Sequence, residues 1–346
     1  MRISGADLMA IWKSGQLKSS RTRTPVLTEV VPLISGHSRH LDTFEVEPLS
    51  DAHQEELVAE MLREIDEGAA LEKTGPHRKA RWEEGWSENL NLLRKSSDIE
   101  VQALLPKYFR ANQLQRFGDK LHRTSDLGFE PIFLSLLVDL VLAYELSQLR
   151  AFDKVEGYAV NNYHFAEFGC GTGHHLIRLL ESRFLGNSRF TGLDWAESSQ
   201  EIIRAYAKKT GNTSISGFNF DYFSPTLPIP WRSPDALKEI SASTVFFTVA
   251  SLEQIGTKHE AFIDFCLDLK PRMVIHFEPF SELLGDDPLG ELSRRYFKAR
   301  DYLQGYLDAL EKREALGQLR IHSAERVGFG SLYTEGYSMV RWSAES

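Results

Sequence analysis

Cysteine is scarce in this chain: of 346 residues only Cys170 and Cys266 carry a thiol, and they lie far apart. That excludes a disulfide framework, and without a CxxC pair it excludes a thiolate zinc site. Positive charge is also in deficit. Forty Lys and Arg face 49 Asp and Glu, a formal net charge of −9, so the fold as a whole does not attract nucleic acid phosphates. Nucleic acid is therefore not expected as a partner. No apolar run is long enough for a membrane span. The most apolar one, PIFLSLLVDLVLAYELSQL (Pro131–Leu149), contains Asp139 and Glu145 and reads as a buried helix. The opening residues MRISGADLMAIWKSGQL lack an apolar h-region and a small-residue cleavage site. These absences predict a cytoplasmic protein without a membrane partner.

What is present is ordinary for a globular chain: 42% apolar and 26% charged residues. The length exceeds a typical single domain, and the texture changes partway along. Residues 1–155 carry helical patterns at Ala52–Glu67, Ser97–His122 and Pro131–Phe152, which predicts a mainly helical N-terminal extension. Residues 156–346 alternate strand-like and helix-like segments, the pattern of a parallel sheet with crossover helices. The strand-like runs are YHFAEF, Arg189–Asp194, Ser214–Phe220, Ser243–Ala250 and Pro271–Pro279. A long amphipathic stretch from Asp287 follows. Two further strand-like runs around a Gly-rich connection then close the chain as an antiparallel pair.

The first of these strands runs into EFGCGTGHH, so Glu167 is followed by Gly169, Gly171 and Gly173 and then by a helix. A dinucleotide fingerprint would need glycine at position 174, where this chain has His174. A carboxylate before the loop would also repel a pyrophosphate, whereas a cofactor with an ammonium group would welcome it. The second strand ends at Asp194, about twenty residues on, where a doubly wound fold places a ribose-binding acid. The third leads into FNFDYF, with Asp221 and Tyr222.

This ordered set resembles the class I S-adenosylmethionine-dependent methyltransferases over residues 160–346. The resemblance implies a Rossmann-like, mostly parallel seven-stranded sheet with a terminal antiparallel hairpin, and S-adenosylmethionine as cofactor. It implies cofactor-binding roles for Glu167, Gly169, Gly171 and Gly173, with Asp194 on the ribose hydroxyls and Trp195 against adenine. It further implies Asp221 on the adenine amino group, with Tyr222 or Phe223 beside the ring. VASLEQI would run under the cofactor toward the acceptor.

Catalytic groups on such a fold belong at the carboxyl ends of the strands, which singles out Glu253, His276 and Glu278. In MVIHFEP the period of two puts His276 and Glu278 on one side of the strand. His276 is thus the expected general base for a hydroxyl, with Glu278 orienting it; a histidine satisfied inside the core is the competing reading. No set of metal ligands is expected. Arginines and aromatics gather at His77, Arg78, Arg81, Trp82 and Trp86, and again at Tyr108, Arg110 and Arg116. Such clusters suit an anionic or sugar-like acceptor; the competing reading is a solvated helix face with tryptophans anchoring it to the domain. The expected activity is methylation, O-directed, of a polar small molecule such as a sugar, a nucleotide-linked sugar or a natural-product intermediate. The alternative is a catalytically silent S-adenosylmethionine-binding protein whose helical extension docks a partner. Neither the acceptor nor the oligomeric state is legible in the sequence.

Overall fold

The computed structural model describes residues 2–3, 44–68, 71–95, 104–105, 114–117, 119–124, 142, 146, 149, 152–155, 162–181, 185, 187–326, 329–335 and 338–345. In chain order the elements are β1 (Arg2–Ile3), β2 (Phe44–Pro48), α1 (Asp51–Asp66), α2 (Lys79–Lys95), β3 (Leu114–Phe117) and β4 (Lys120–Thr124). Then come β5 (His164–Phe168), α3 (His174–Glu181), β6 (Arg189–Asp194), α4 (Glu197–Thr210) and β7 (Ile215–Asn219). After these lie α5 (Pro234–Ser243), β8 (Thr244–Val249), α6 (Glu260–Leu269) and β9 (Met273–Glu278). The chain ends with α7 (Pro288–Arg300), α8 (Tyr306–Ala315), β10 (Leu319–Glu325), β11 (Phe329–Ser331) and β12 (Ser338–Ala344).

Seven strands form the main sheet in the order β10-β12-β9-β8-β5-β6-β7. From β9 to β7 every pairing is parallel, while β12 lies antiparallel between β9 and β10. This is the doubly wound sheet with a terminal antiparallel pair that the sequence led us to expect. Chain order reverses at β5, which has β6 on one side and β8 on the other. In such sheets a crevice opens outside the carboxyl ends of the strands at that reversal.

The central strands are buried on both faces, and each face has its own core. On one side Phe165, Ile275 and Phe277 pack with Leu176, Ile202, Ile203, Trp86 and Leu90. On the other, Ala166, Phe168 and Val274 pack with Phe262, Tyr306, Leu310 and Trp342. The alternation Phe165/Ala166 and Val274/Ile275 is the period of two expressed as two hydrophobic layers. Leu142, Leu146 and Leu149 are helical, fully buried and part of the first core. They confirm a buried helical face within Pro131–Phe152, most of which lies outside the described residues.

The helix expected over Ser97–His122 does not continue through its last third; Leu104 is helical, and most of residues 97–113 lie outside the described residues. Residues 114–117 and 120–124 instead form β3 and β4, in a second, antiparallel sheet of order β1-β2-β4-β3-β11. Pairing overrides helical propensity here, because β3 gains a ladder with β11, which leaves the connection between β10 and β12. The join is polar and buried. Arg116 donates to Leu289 O at 2.8 Å and pairs with Glu335 at 3.8 Å, and Glu335 also binds Arg326. Arg116 is therefore a structural cation, not an acceptor ligand; Tyr108 and Arg110 lie outside the described residues. Helix α2 carries Arg81, Trp82 and Trp86 and packs on α4, anchored where Glu83 accepts hydrogen bonds from the backbone N–H groups of Glu197 and Ser198. Among the described residues no helix is long and apolar enough to cross a membrane.

Candidate active site

A cleft with about 800 Å³ of non-atom space, part of it open solvent, lies at the reversal point. Its floor is the loop after β5, with Glu167, Gly169, Cys170, Gly171 and Thr172 in the wall. Asp194 and Trp195 from the end of β6 form one side, and Phe220, Tyr222 and Phe223 after β7 continue it. Val249 to Ser251, Gln254 and Ile255 after β8 form the opposite side, while Trp82 and Trp86 of α2 and His174 and His175 of α3 complete it.

All three motif glycines have left-handed backbone, with φ of +66, +54 and +71° at Gly169, Gly171 and Gly173, a region that disfavours any side chain. At Gly171 a Cβ would also come within 3.0 Å of the Trp86 ring. Asp194 ties this loop to the next strand: its two oxygens accept from Gly171 N and Ala196 N, each at 2.9 Å. Burial pushes its pKa up to about 6, against the lowering effect of those backbone donors. Each carboxylate oxygen keeps acceptor capacity for a hydroxyl. The rings of Trp195 and Phe223 lie nearly parallel, 6.0 Å apart at 27°. Trp82 and Trp86 stack on each other at 5.3 Å and 25°.

Asp221 takes a different place from the one the resemblance implied. It does not line the cleft; its Oδ1 accepts from Phe223 N at 2.9 Å and holds a turn, and that turn presents Tyr222 and Phe223. Glu253 also stays out of the wall, beside Gln254, whose amide donates to it at 2.9 Å.

His276 and Glu278 are the larger corrections. They do share one side of β9, but that side faces the second core, away from the cleft. His276 is fully buried. Trp342 Nε1 donates to its Nε2 at 3.0 Å, the Tyr306 hydroxyl lies 2.8 Å from the same atom, and Thr248 Oγ1 is 3.0 Å from Nδ1. Burial pushes its pKa down to about 3. A neutral ring with both nitrogens committed cannot take a proton from an acceptor. Glu278 accepts from the backbone N–H groups of Ser251, Leu252 and Glu253 at 3.0, 3.1 and 3.3 Å. It thereby fixes the cleft loop that begins at Ala250, a non-glycine residue held at φ +46°. Glu278 is a positioning residue for the wall, not a group in it.

These buried acids give the ligand-free protein a measurable pH response. Burial raises Glu278 to about 7, against the backbone donors that lower it. Burial and then the neighbouring Glu278 raise Glu253 to about 8. Between about 4.5 and those values the unfolded chain has released protons that the folded chain keeps, so stability falls as pH rises. His164 and His322, each lowered to about 4, and His276 act with the opposite sign, but only below about 6.5. Between pH 6.5 and 8 the carboxyls act alone. The unfolding free energy from urea titration should therefore drop across that interval, by about 1–2 kcal/mol per pH unit, and drop less in Glu253→Gln. A flat or rising free energy contradicts this account.

No protein-family model matches the chain, and no curated protein matches it. Among solved structures the chain is similar to a S-adenosylmethionine-dependent methyltransferase from Aquifex aeolicus, with 12% identity over 56% of this chain and 87% of that one and a TM-score of 0.36. It is also similar to an O-methyltransferase from neocarzinostatin biosynthesis, solved with S-adenosylhomocysteine and 1,4-dihydroxy-2-naphthoic acid. There the identity is 18%, the coverage 77% of this chain and 70% of that one, and the TM-score 0.39. A third is a sarcosine dimethylglycine methyltransferase from Galdieria sulphuraria, at 15% identity, 56% and 66% coverage and a TM-score of 0.39.

Proposed function

We propose that the chain is an S-adenosylmethionine-dependent methyltransferase acting on a polar small molecule in the cytoplasm, where Cys170 and Cys266 stay reduced. The observation that carries this reading is the cleft at the chain reversal, where a left-handed glycine loop lies between Glu167 and Asp194. The donor and acceptor set fits the cofactor. Glu167, 1% exposed in the wall, suits an ammonium group, and Asp194 suits two ribose hydroxyls. Trp195, Tyr222 and Phe223 offer flat apolar surface for a purine.

When bound, the cofactor supplies an electrophilic methyl group on a sulfonium. What the chain contributes is position and dryness. The glycine loop admits close approach, Glu278 holds the opposite loop in register, and Trp82 and Trp86 exclude water from the mouth. With His276 sealed in the core, we assign no general base on β9. The same observation favours the second reading, a silent cofactor-binding protein, to the extent that the acceptor is a hydroxyl that needs one.

Calorimetry with S-adenosylhomocysteine tests the reading. The wild type should bind it and show no heat with NAD. Asp194→Ala should weaken binding by about 1–3 kcal/mol, or 5- to 150-fold. Tight NAD binding without S-adenosylhomocysteine binding would overturn the proposal. Cofactor binding with no turnover across hydroxyl, amine and carboxylate acceptors would favour the silent protein.

A further inference from the structure

The residues before and at the start of α2 concentrate positive charge next to the cleft. Arg78 closes a short 3₁₀ turn (Pro76–Arg78) and is only 7% exposed. Its guanidinium sits 5.1 Å above the Trp82 ring, and Nη1 donates to Gln254 Oε1 at 2.8 Å. Trp82 and Gln254 both belong to the cleft wall. Nε of Arg78 has no hydrogen-bond partner and lies 3.6 Å from Glu72, which also pairs with Arg81. Arg300, over the rings of Tyr296 and Tyr302, adds repulsion to Arg78 and likewise has an Nε without a hydrogen bond.

The local charge does not balance. Three guanidinium groups (Arg78, Arg81 and Arg300) face Glu72, already shared between Arg78 and Arg81, and Glu253, whose carboxyl burial and the neighbouring Glu278 push up to about 8. A cation removed from water is costly unless an anion reaches it, and an arginine fork is suited to two anion oxygens at once. The face of Trp82 beside that fork can take a ring, aromatic or sugar, in stacking contact.

We infer that Arg78 is the specificity-determining residue for the methyl acceptor, holding a carboxylate or phosphate of that acceptor while Trp82 carries its flat face against the cleft. The inference rests on the methyltransferase reading for the word acceptor, and it assigns the acceptor's chemical class: an anion with a flat ring. Arg300 supports the same group from behind by keeping the local field positive.

The test uses the full chain and matched pairs of probes, titrated with and without saturating S-adenosylhomocysteine: salicylate against salicylamide, glucuronate against glucose, and UDP-glucose against uridine. In at least one pair the anion should bind ten-fold or more tightly than its neutral mate. A carboxylate pair identifies an arene or uronate acceptor, and the UDP-glucose pair identifies a phosphate source. Arg78→Gln should abolish the preference while the Kd for S-adenosylhomocysteine stays within two-fold. Arg78→Lys, which keeps the charge and loses the fork, should reduce it to a few-fold and serves if the glutamine variant does not fold. Trp82→Leu should weaken both members of the pair alike. No preference in any pair, or a preference that survives Arg78→Gln, overturns the inference. An anion preference without any S-adenosylhomocysteine binding would leave the subsite standing and remove the methyltransferase reading.

Discussion

His276→Ala should cost about 4 kcal/mol or more of folding stability and leave cofactor affinity in the folded protein unchanged. The substitution removes the shared partner of three side chains. Tyr306 and Trp342 are fully buried and both hydrogen-bond Nε2, and the buried Thr248 faces Nδ1. Each polar group left without a partner in that core costs about 1–3 kcal/mol, and the missing ring leaves a cavity between β9, α6 and α8. Against a total stability of about 5–15 kcal/mol, such a loss shifts a denaturation curve far beyond error. The competing assignment makes the opposite prediction. A general base would cost about 10²–10⁴-fold in rate with little change in stability. Urea unfolding followed by tryptophan fluorescence, with S-adenosylhomocysteine calorimetry on the same sample, separates the two. A variant as stable as the wild type but without turnover would return His276 to the active site.

The alternation in MVIHFEP was legible, and His276 and Glu278 do share a side. Which side faces the cleft was not. The answer depends on α2 lying over the first core and α8 over the second, and no residue within β9 encodes those placements. The glycine loop, Asp194, Trp195 and Tyr222 were readable because their spacing along consecutive strand ends maps directly onto one crevice. Phe223 faces the cleft as expected while Asp221, two residues earlier, does not, since its carboxylate is used to hold the turn that presents Phe223. Helix α2 is legible in its periodicity: Trp86, Leu90 and Leu93 are all buried in the first core at helical spacing. For β3 the sequence had no chance, because its ladder partner β11 lies more than two hundred residues away.

Gly169→Ala should lower S-adenosylhomocysteine affinity by about 100-fold or more, while the protein still folds. Two effects coincide at this position. The backbone is left-handed, at φ +66°, which costs a residue with a Cβ about 1–2 kcal/mol. A Cβ there would also fall 2.8 Å from Ser251 Oγ and closer still to Ser251 Cβ, with the Tyr222 ring 3.3 Å away. Ser251 cannot yield easily. Its N–H donates to Glu278, and its hydroxyl donates to Phe168 O at 2.9 Å and meets the Tyr222 hydroxyl at the same distance. The glycine loop must therefore shift, and it shifts where Glu167, Asp194 and Gly171 are held in register around the cleft. Gly211→Ala isolates the backbone contribution. Gly211 has nearly the same φ, +67°, at the end of α4, but nothing lies within 4 Å of its would-be Cβ. It should lose about 1 kcal/mol of stability and bind S-adenosylhomocysteine as the wild type does. If Gly169→Ala binds within a few-fold of the wild type, the close approach of the loop to Ser251 does not shape the cofactor site, and the cleft at the reversal loses its strongest claim to hold S-adenosylmethionine.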